Sequence, residues 1–250
     1  MKTIYKLGRV AFASAIILFG VQYIIFKMYI APIVPLSHSG PRFLVYLFGV
    51  ALIFAGACIG LKFRVRMVAL LLAIAFLILI LILHVPVILS NYYDGREWTR
   101  AFELLAISGG ALLLTHSFEL KNISRSNNIW TILSKSGRFL FALSLPVFGI
   151  LHFIYGQYVA AVIPTWIPGH LFLAYFVGIV FILCAISIIT KIQVRLAALL
   201  LGIMFFSWVL ILHLPRCFVN IHSEAEWSSA FVALAMGGIS FMLAGLPLKS

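Results

Sequence analysis

Two histidines stand out for the chemistry their spacing allows. His84 and His213 each close a long apolar run, each lies two residues before a proline (Pro86, Pro215), and they are 129 residues apart. Imidazoles at equal depth on two helices could ligate a metal or a haem, or hydrogen-bond a quinone carbonyl. An ionisable group at membrane depth points to function by default. The plainer alternative is an interfacial ring meeting lipid headgroups where a proline ends the helix. If the pair is functional, both rings point inward, oriented by Tyr46 and Tyr175 or by Asn91 and Asn220.

Other candidates recur at the same offset. Glu97-Trp98 matches Glu226-Trp227, each pair three residues after a capping residue, Asp94 or Ser223. That spacing fits a capping box, in which cap and glutamate satisfy each other's free amides. Trp98 and Trp227 then sit opposite Tyr93 and His222 as hydrophobic staples, or grip a ligand. Tyr46 and Tyr175 recur as candidate pocket walls, as do Tyr29 and Tyr158; an interfacial aromatic belt explains them equally well. His152, Gln157, Trp166 and His170 have no like residue in the first half, which carries Gln22, Lys27 and His38 in the same region.

These residues are positioned by a duplicated membrane module. Residues 8–115 and 137–244 align without a gap and share 40 identities in 108 positions. The chain is 64% hydrophobic and 10% charged, against about 25% charged for a soluble domain, so one aqueous core cannot hide its apolar surface. Eight segments approach the roughly 20 apolar residues that span a bilayer as a helix: 9–30, 43–61, 67–89, 101–118, 138–160, 171–190, 195–217 and 229–247. None shows the alternation of a membrane strand. The expected fold is all-α and polytopic, with eight transmembrane helices as two parallel four-helix repeats, each closing as a bundle with its tight contacts at repeated glycines.

The net charge of +12 does not indicate nucleic acid. With both termini cytoplasmic, the cations concentrate on the inner side (Lys2, Arg9, Lys62, Arg64, Lys121 and Arg125 among them), while the outer side keeps five of the six acids. That is the positive-inside pattern. The first segment has a signal-like basic start, but its counterpart lies in mid-chain, so it is read as structural. Residues 1–115 form the first module, 116–136 a polar, basic cytoplasmic linker in reach of anionic lipid, and 137–250 the second module.

Cys58, Cys184 and Cys217 form no Cys-x-x-Cys and share no offset, which argues against thiol exchange; Cys217, nearest the outer face, is the accessible one. Gly56-x-x-x-Gly60 is an unrepeated small-residue motif. No nucleotide-binding loop, zinc-protease motif or nucleophile elbow is present.

The Gly-Arg openings, Phe148 to Phe153, the run Pro164 to His170, Tyr175-x-x-Gly178, the Arg195 stretch, Leu212-His213-x-Pro215 and Trp227-x-x-Ala-Phe together resemble the DoxX-like family of bacterial membrane proteins. The resemblance covers both halves, as a tandem fusion of two four-helix units. It implies the bacterial cytoplasmic (inner) membrane and a redox-associated, quinone-linked role beside a soluble or membrane partner subunit, with quinone as the cofactor expected ahead of haem. It carries over no catalytic residues. Two other readings stay open: a small-molecule transporter or binding module, because parallel repeats place sites at their interface, and a structural scaffold of a membrane complex. The ligand-binding candidates are His84, His213, His152, Tyr46, Tyr175, Trp98 and Trp227, and a metal or haem would rest on His84 and His213.

Overall fold

The computed structural model describes residues 2–34, 41–115 and 129–246. His38, most of the linker and the cations Lys121, Arg125 and Lys249 lie outside the described residues. Those described are helical with no strand: α1 (Lys2–Phe26), α2 (Arg42–Leu61), α3 (Val65–Ser90), α4 (Gly95–Leu113), α5 (Ile129–Ile154), a short α6 (Gly156–Val162), α7 (His170–Thr190), α8 (Val194–Val219) and α9 (Glu224–Gly245). Seven of them are long and apolar enough to cross a membrane, and α4 is the long helix that is not among them. Arg96, Glu97, Arg100 and Glu103 crowd its first half. Residues 129–136, read from sequence as linker, belong to α5.

Helix packing follows side-chain size. The most buried helix is α9, whose centre (Ala233, Ala235, Gly237, Gly238, Ser240) is small. The shielded half of α4 runs Ala106, Ser108, Gly109, Gly110, Ala111. Small residues let backbones approach, and dispersion contacts replace the missing hydrophobic drive between helices in lipid. The outward faces of α2, α3, α7 and α8 expose large apolar side chains such as Phe54, Leu71, Phe176 and Leu200, the pattern of a surface solvated by acyl chains.

The two halves do not close as separate bundles. The closest packing of α1 is on α9, and that of α4 is on α5, so both join opposite halves. Glycine causes this. A Cβ on Gly8 would lie 2.5 Å from the Gly238 carbonyl, and one on Gly109 would lie 2.6 Å from the Gly137 carbonyl. Within each half, Gly20 meets Gly49 and Gly149 meets Gly178 in the same way. Gly56 abuts Ile17 and Ala13, whereas a Cβ on Gly60 meets only the Ala13 Cβ, at 3.8 Å. Arg9 completes the Gly-Arg opening by donating from Nη1 to the Ile59 and Gly60 carbonyls, 2.7 and 3.1 Å away. It thereby places a cation at the carbonyl end of α2, where Ile59 also accepts from the Lys62 amide at 3.4 Å.

The prolines do not end their helices. In α3 a π turn spans Ile80–His84, and in α8 another spans Val209–His213, after which each helix runs on to Ser90 or Val219. Pro86 and Pro215 supply no amide for the preceding turn. The wider turn regroups the bonds, with Val85 N–H reaching the Ile80 carbonyl and Leu214 N–H the Val209 carbonyl. Each histidine is the last residue of a π turn, a feature frequent at functional sites.

Candidate functional site

A cavity of about 610 Å³ lies among α4, α5, α6, α7, α8 and α9. Its walls are mostly aromatic and apolar: Phe148, Phe181, Phe205, Trp208, Val232, Ala233 and Met236. Phe181 makes ring contacts with Phe205, Trp208 and Phe148, at centroid distances of 5.8, 6.0 and 5.8 Å. Polar groups enter at few points: His213, His152, Glu103, Tyr155 and Tyr158, with Asp94, Arg96 and Thr99 where α4 begins. Apolar walls around a few placed polar groups are the usual make-up of a ligand site.

His213 has no hydrogen-bond partner among the described residues, and its Nδ1 is shut off from solvent. An unsatisfied buried polar atom costs about 1–3 kcal/mol, so it calls for a ligand or ordered water. His152 is satisfied on one side, since its Nδ1 lies 2.8 Å from the Phe148 carbonyl and must donate there. That leaves Nε2 as an acceptor. Its ring stands edge-on to Phe181. Glu103 has no hydrogen bond or ion pair among the described residues. Sequence reasoning placed it only among outer acids. The available signal was that its counterpart is apolar, Val232.

His84 sits elsewhere. It is fully buried and does not line the cavity; its Nε2 donates to the Ile33 carbonyl at 3.3 Å, and its Nδ1 is 3.8 Å from Glu97 Oε2. The expected orienting partners, Tyr46 and Asn91, are not in these contacts. A haem or metal bridging His84 and His213 does not fit, because one ring is sealed against a backbone carbonyl in the first half while the other lines a cavity in the second. Among the described residues no cluster of three or more metal-ligating side chains forms.

The Glu-Trp pairs divide their roles. Asp94 accepts from Arg96 N–H at 3.0 Å and Ser223 Oγ from Glu226 N–H at 3.4 Å, so both helices are capped. The Arg96 side chain also grips the Asp94 carboxylate and holds it below the usual carboxylate range. The glutamates do not return to the cap as a capping box requires. Glu97 pairs with Arg100, and Glu226 with Arg216 at 2.7 Å. Nor do the tryptophans staple to Tyr93 and His222: Trp98 Nε1 donates to the Tyr92 carbonyl and Trp227 Nε1 to that of Ile221. Of the repeated tyrosines, Tyr46 is exposed and outside the cavity, and Tyr175 stacks on Phe153. Cys58, Cys184 and Cys217 are buried free thiols, so Cys217 is not the accessible one.

Comparison with family models, curated proteins and solved structures returned no match. What the fold itself defines is a polytopic helical membrane protein with an aromatic cavity between α4 and its second half.

Proposed function

We propose that the chain is a multi-pass protein of the bacterial inner membrane that binds a quinone in the second-half cavity and serves as a quinone-linked, redox-associated subunit. One observation carries this: an aromatic-walled cavity of about 610 Å³ lined by a partly buried imidazole that has no hydrogen-bond partner among the described residues. A flat, lipid-soluble ring fits Phe148, Phe181 and Trp208 as walls, and one of its carbonyl oxygens suits His213 as donor. When bound, a quinone supplies two-electron, two-proton redox chemistry; this chain's residues hold the ring and keep water out. Filling the cavity tests the reading. Ala233→Phe is expected to abolish binding of a short-chain benzoquinone, read as loss of tryptophan quenching in detergent, while the protein still elutes as a single folded species. Unchanged quenching would remove the cavity from consideration.

A second reading, a transporter or binding module for a polar small molecule, is favoured by Glu103, a carboxylate on the aromatic cavity that forms no ion pair among the described residues. Mass spectrometry of small molecules that copurify separates the two: a quinone supports the first, a polar metabolite the second.

The same proposal takes α4 as an eighth crossing and the halves as parallel repeats. Supporting it, α3 and α8 start and stop 129 residues apart, their π turns do likewise, and α4 begins 129 residues before α9. The charges of α4 lie at one end, where Arg100 and Glu97 pair. Reporter fusions at the two termini are therefore expected to read the same, cytoplasmic side. Opposite sides would mean an odd number of crossings.

A further inference from the structure

The duplication supplies an internal comparison for the cavity. Each long helix that walls it has a counterpart at the 129 offset, the short α6 has none, and larger side chains occupy the matching positions of the first half. Leu104 stands where Ala233 is, Tyr23 where His152 is and Ile30 where Val159 is, and all three are fully buried.

The filling comes from the chain itself. After α1, Lys27 takes a left-handed backbone conformation (φ 56°), and the following segment brings Ile30, Ile33 and Val34 into the core. Its position is fixed by a cross-half chain of bonds. Gln22 donates to the Glu224 carbonyl and to Ser228 Oγ, Ser228 donates to the Glu224 carboxylate, and the Ala31 amide donates to that carboxylate at 3.4 Å. At the 129 offset Lys27 becomes Gly156, the first residue of α6. The later part of that segment, Val162 and Ile163, is only partly buried, and the space stays open.

Inside the filled copy one polar contact matters. The Ile33 carbonyl oxygen accepts from His84 Nε2 at 3.3 Å. At His213, the equivalent residue, neither ring nitrogen has a hydrogen-bond partner among the described residues. We infer that the first half is a self-occupied copy of the site, in which Ile33 stands in for the ligand, and that the second half takes a ligand whose carbonyl-type oxygen accepts from His213. This rests on the quinone-binding reading and adds what that reading leaves open: the atom recognised, and a capacity of one ligand per chain despite the duplication. Two-site binding, natural for a symmetric duplication, is not expected, because the first half holds its own chain there.

Calorimetric titration of the detergent-purified full chain with 2-methyl-1,4-naphthoquinone and with 2-methylnaphthalene tests it, since the two share a ring system and differ in the oxygens. The quinone is expected to bind at one equivalent per chain and more tightly than the hydrocarbon. His213→Leu should weaken quinone binding about tenfold, the scale of one hydrogen bond, and leave the hydrocarbon unchanged. His213→Gln, which keeps a donor, should restore part of the difference. Two equivalents per chain would overturn the self-occupied copy. Equal affinity for both compounds, or a His213→Leu variant that binds quinone as the parent does, would overturn the oxygen recognition while leaving the cavity as a quinone-sized site. If neither compound binds the folded chain, the quinone reading fails and this inference with it.

Discussion

Gly109→Val is expected to destabilise the protein by about 3 kcal/mol, near the upper end of what overpacking a tight contact costs. The new Cβ would sit 2.6 Å from the Gly137 carbonyl and 2.8 Å from the Phe141 amide nitrogen, both backbone atoms of α5 that cannot move aside singly. The helices must separate, and separation releases the contacts that join the first half to the second. Gly60→Ala is the matched control. Its Cβ meets only the Ala13 Cβ, at 3.8 Å, and replacing a helical glycine by alanine removes an entropic penalty of about 0.5–1 kcal/mol. It should be neutral or mildly stabilising. Thermal unfolding in detergent, followed by loss of monodisperse elution, separates the two; a Gly109→Val protein as stable as the parent would mean that α4 and α5 do not pack this way.

Seven of the eight expected spans were legible, because they depend on composition. Each apolar run long enough to cross yields a helix, and the repeated glycines mark the contacts. Which helices those glycines join was not legible, because periodicity assigns a face to a helix without naming the face opposite. Gly8 and Gly238 are as compatible with contacts inside each half as with the cross-half contact they make. The π turns were hidden for a related reason. Proline predicts a lost amide, but whether a helix stops or rearranges depends on the packing beyond it. Here α3 and α8 continue past Pro86 and Pro215.

The site was half legible. His213 and His152 line the cavity, and both were visible as polar residues in apolar surroundings. His84 was visible for the same reason and sits in the filled copy. Duplication misled there, since equal sequence implied equal surroundings. The difference arises outside the matched residues: Lys27 against Gly156 decides whether the next segment turns in or forms α6, and Leu104 against Ala233 decides how much room is left. Glu103 escaped notice because it has no twin, its counterpart being Val232.

The two glutamate–arginine pairs give the last expectation, because they differ in one respect that energetics can read. Glu97 pairs with Arg100, three residues on in the same helix, and 9% of the Glu97 and 21% of the Arg100 side-chain surface is exposed. Glu226 pairs with Arg216 from α8, and those side chains are 16% and 34% exposed. The cation has moved between helices, with Val87 standing where Arg216 would be and Ser229 where Arg100 would be, yet each half keeps one arginine against its glutamate. Removing one partner of a shielded pair leaves a charge that water cannot reach easily, so Glu97→Ala is expected to cost about 3 kcal/mol. The better-hydrated Arg216 recovers solvation more readily, so Glu226→Ala should cost about 1 kcal/mol. In the double variant Glu97→Ala/Arg100→Ala no charge is stranded, and stability should rise above that of Glu97→Ala alone. Equal losses from the two single variants, or a double variant less stable than Glu97→Ala, would show that the carboxylate acts through packing and not through its charge.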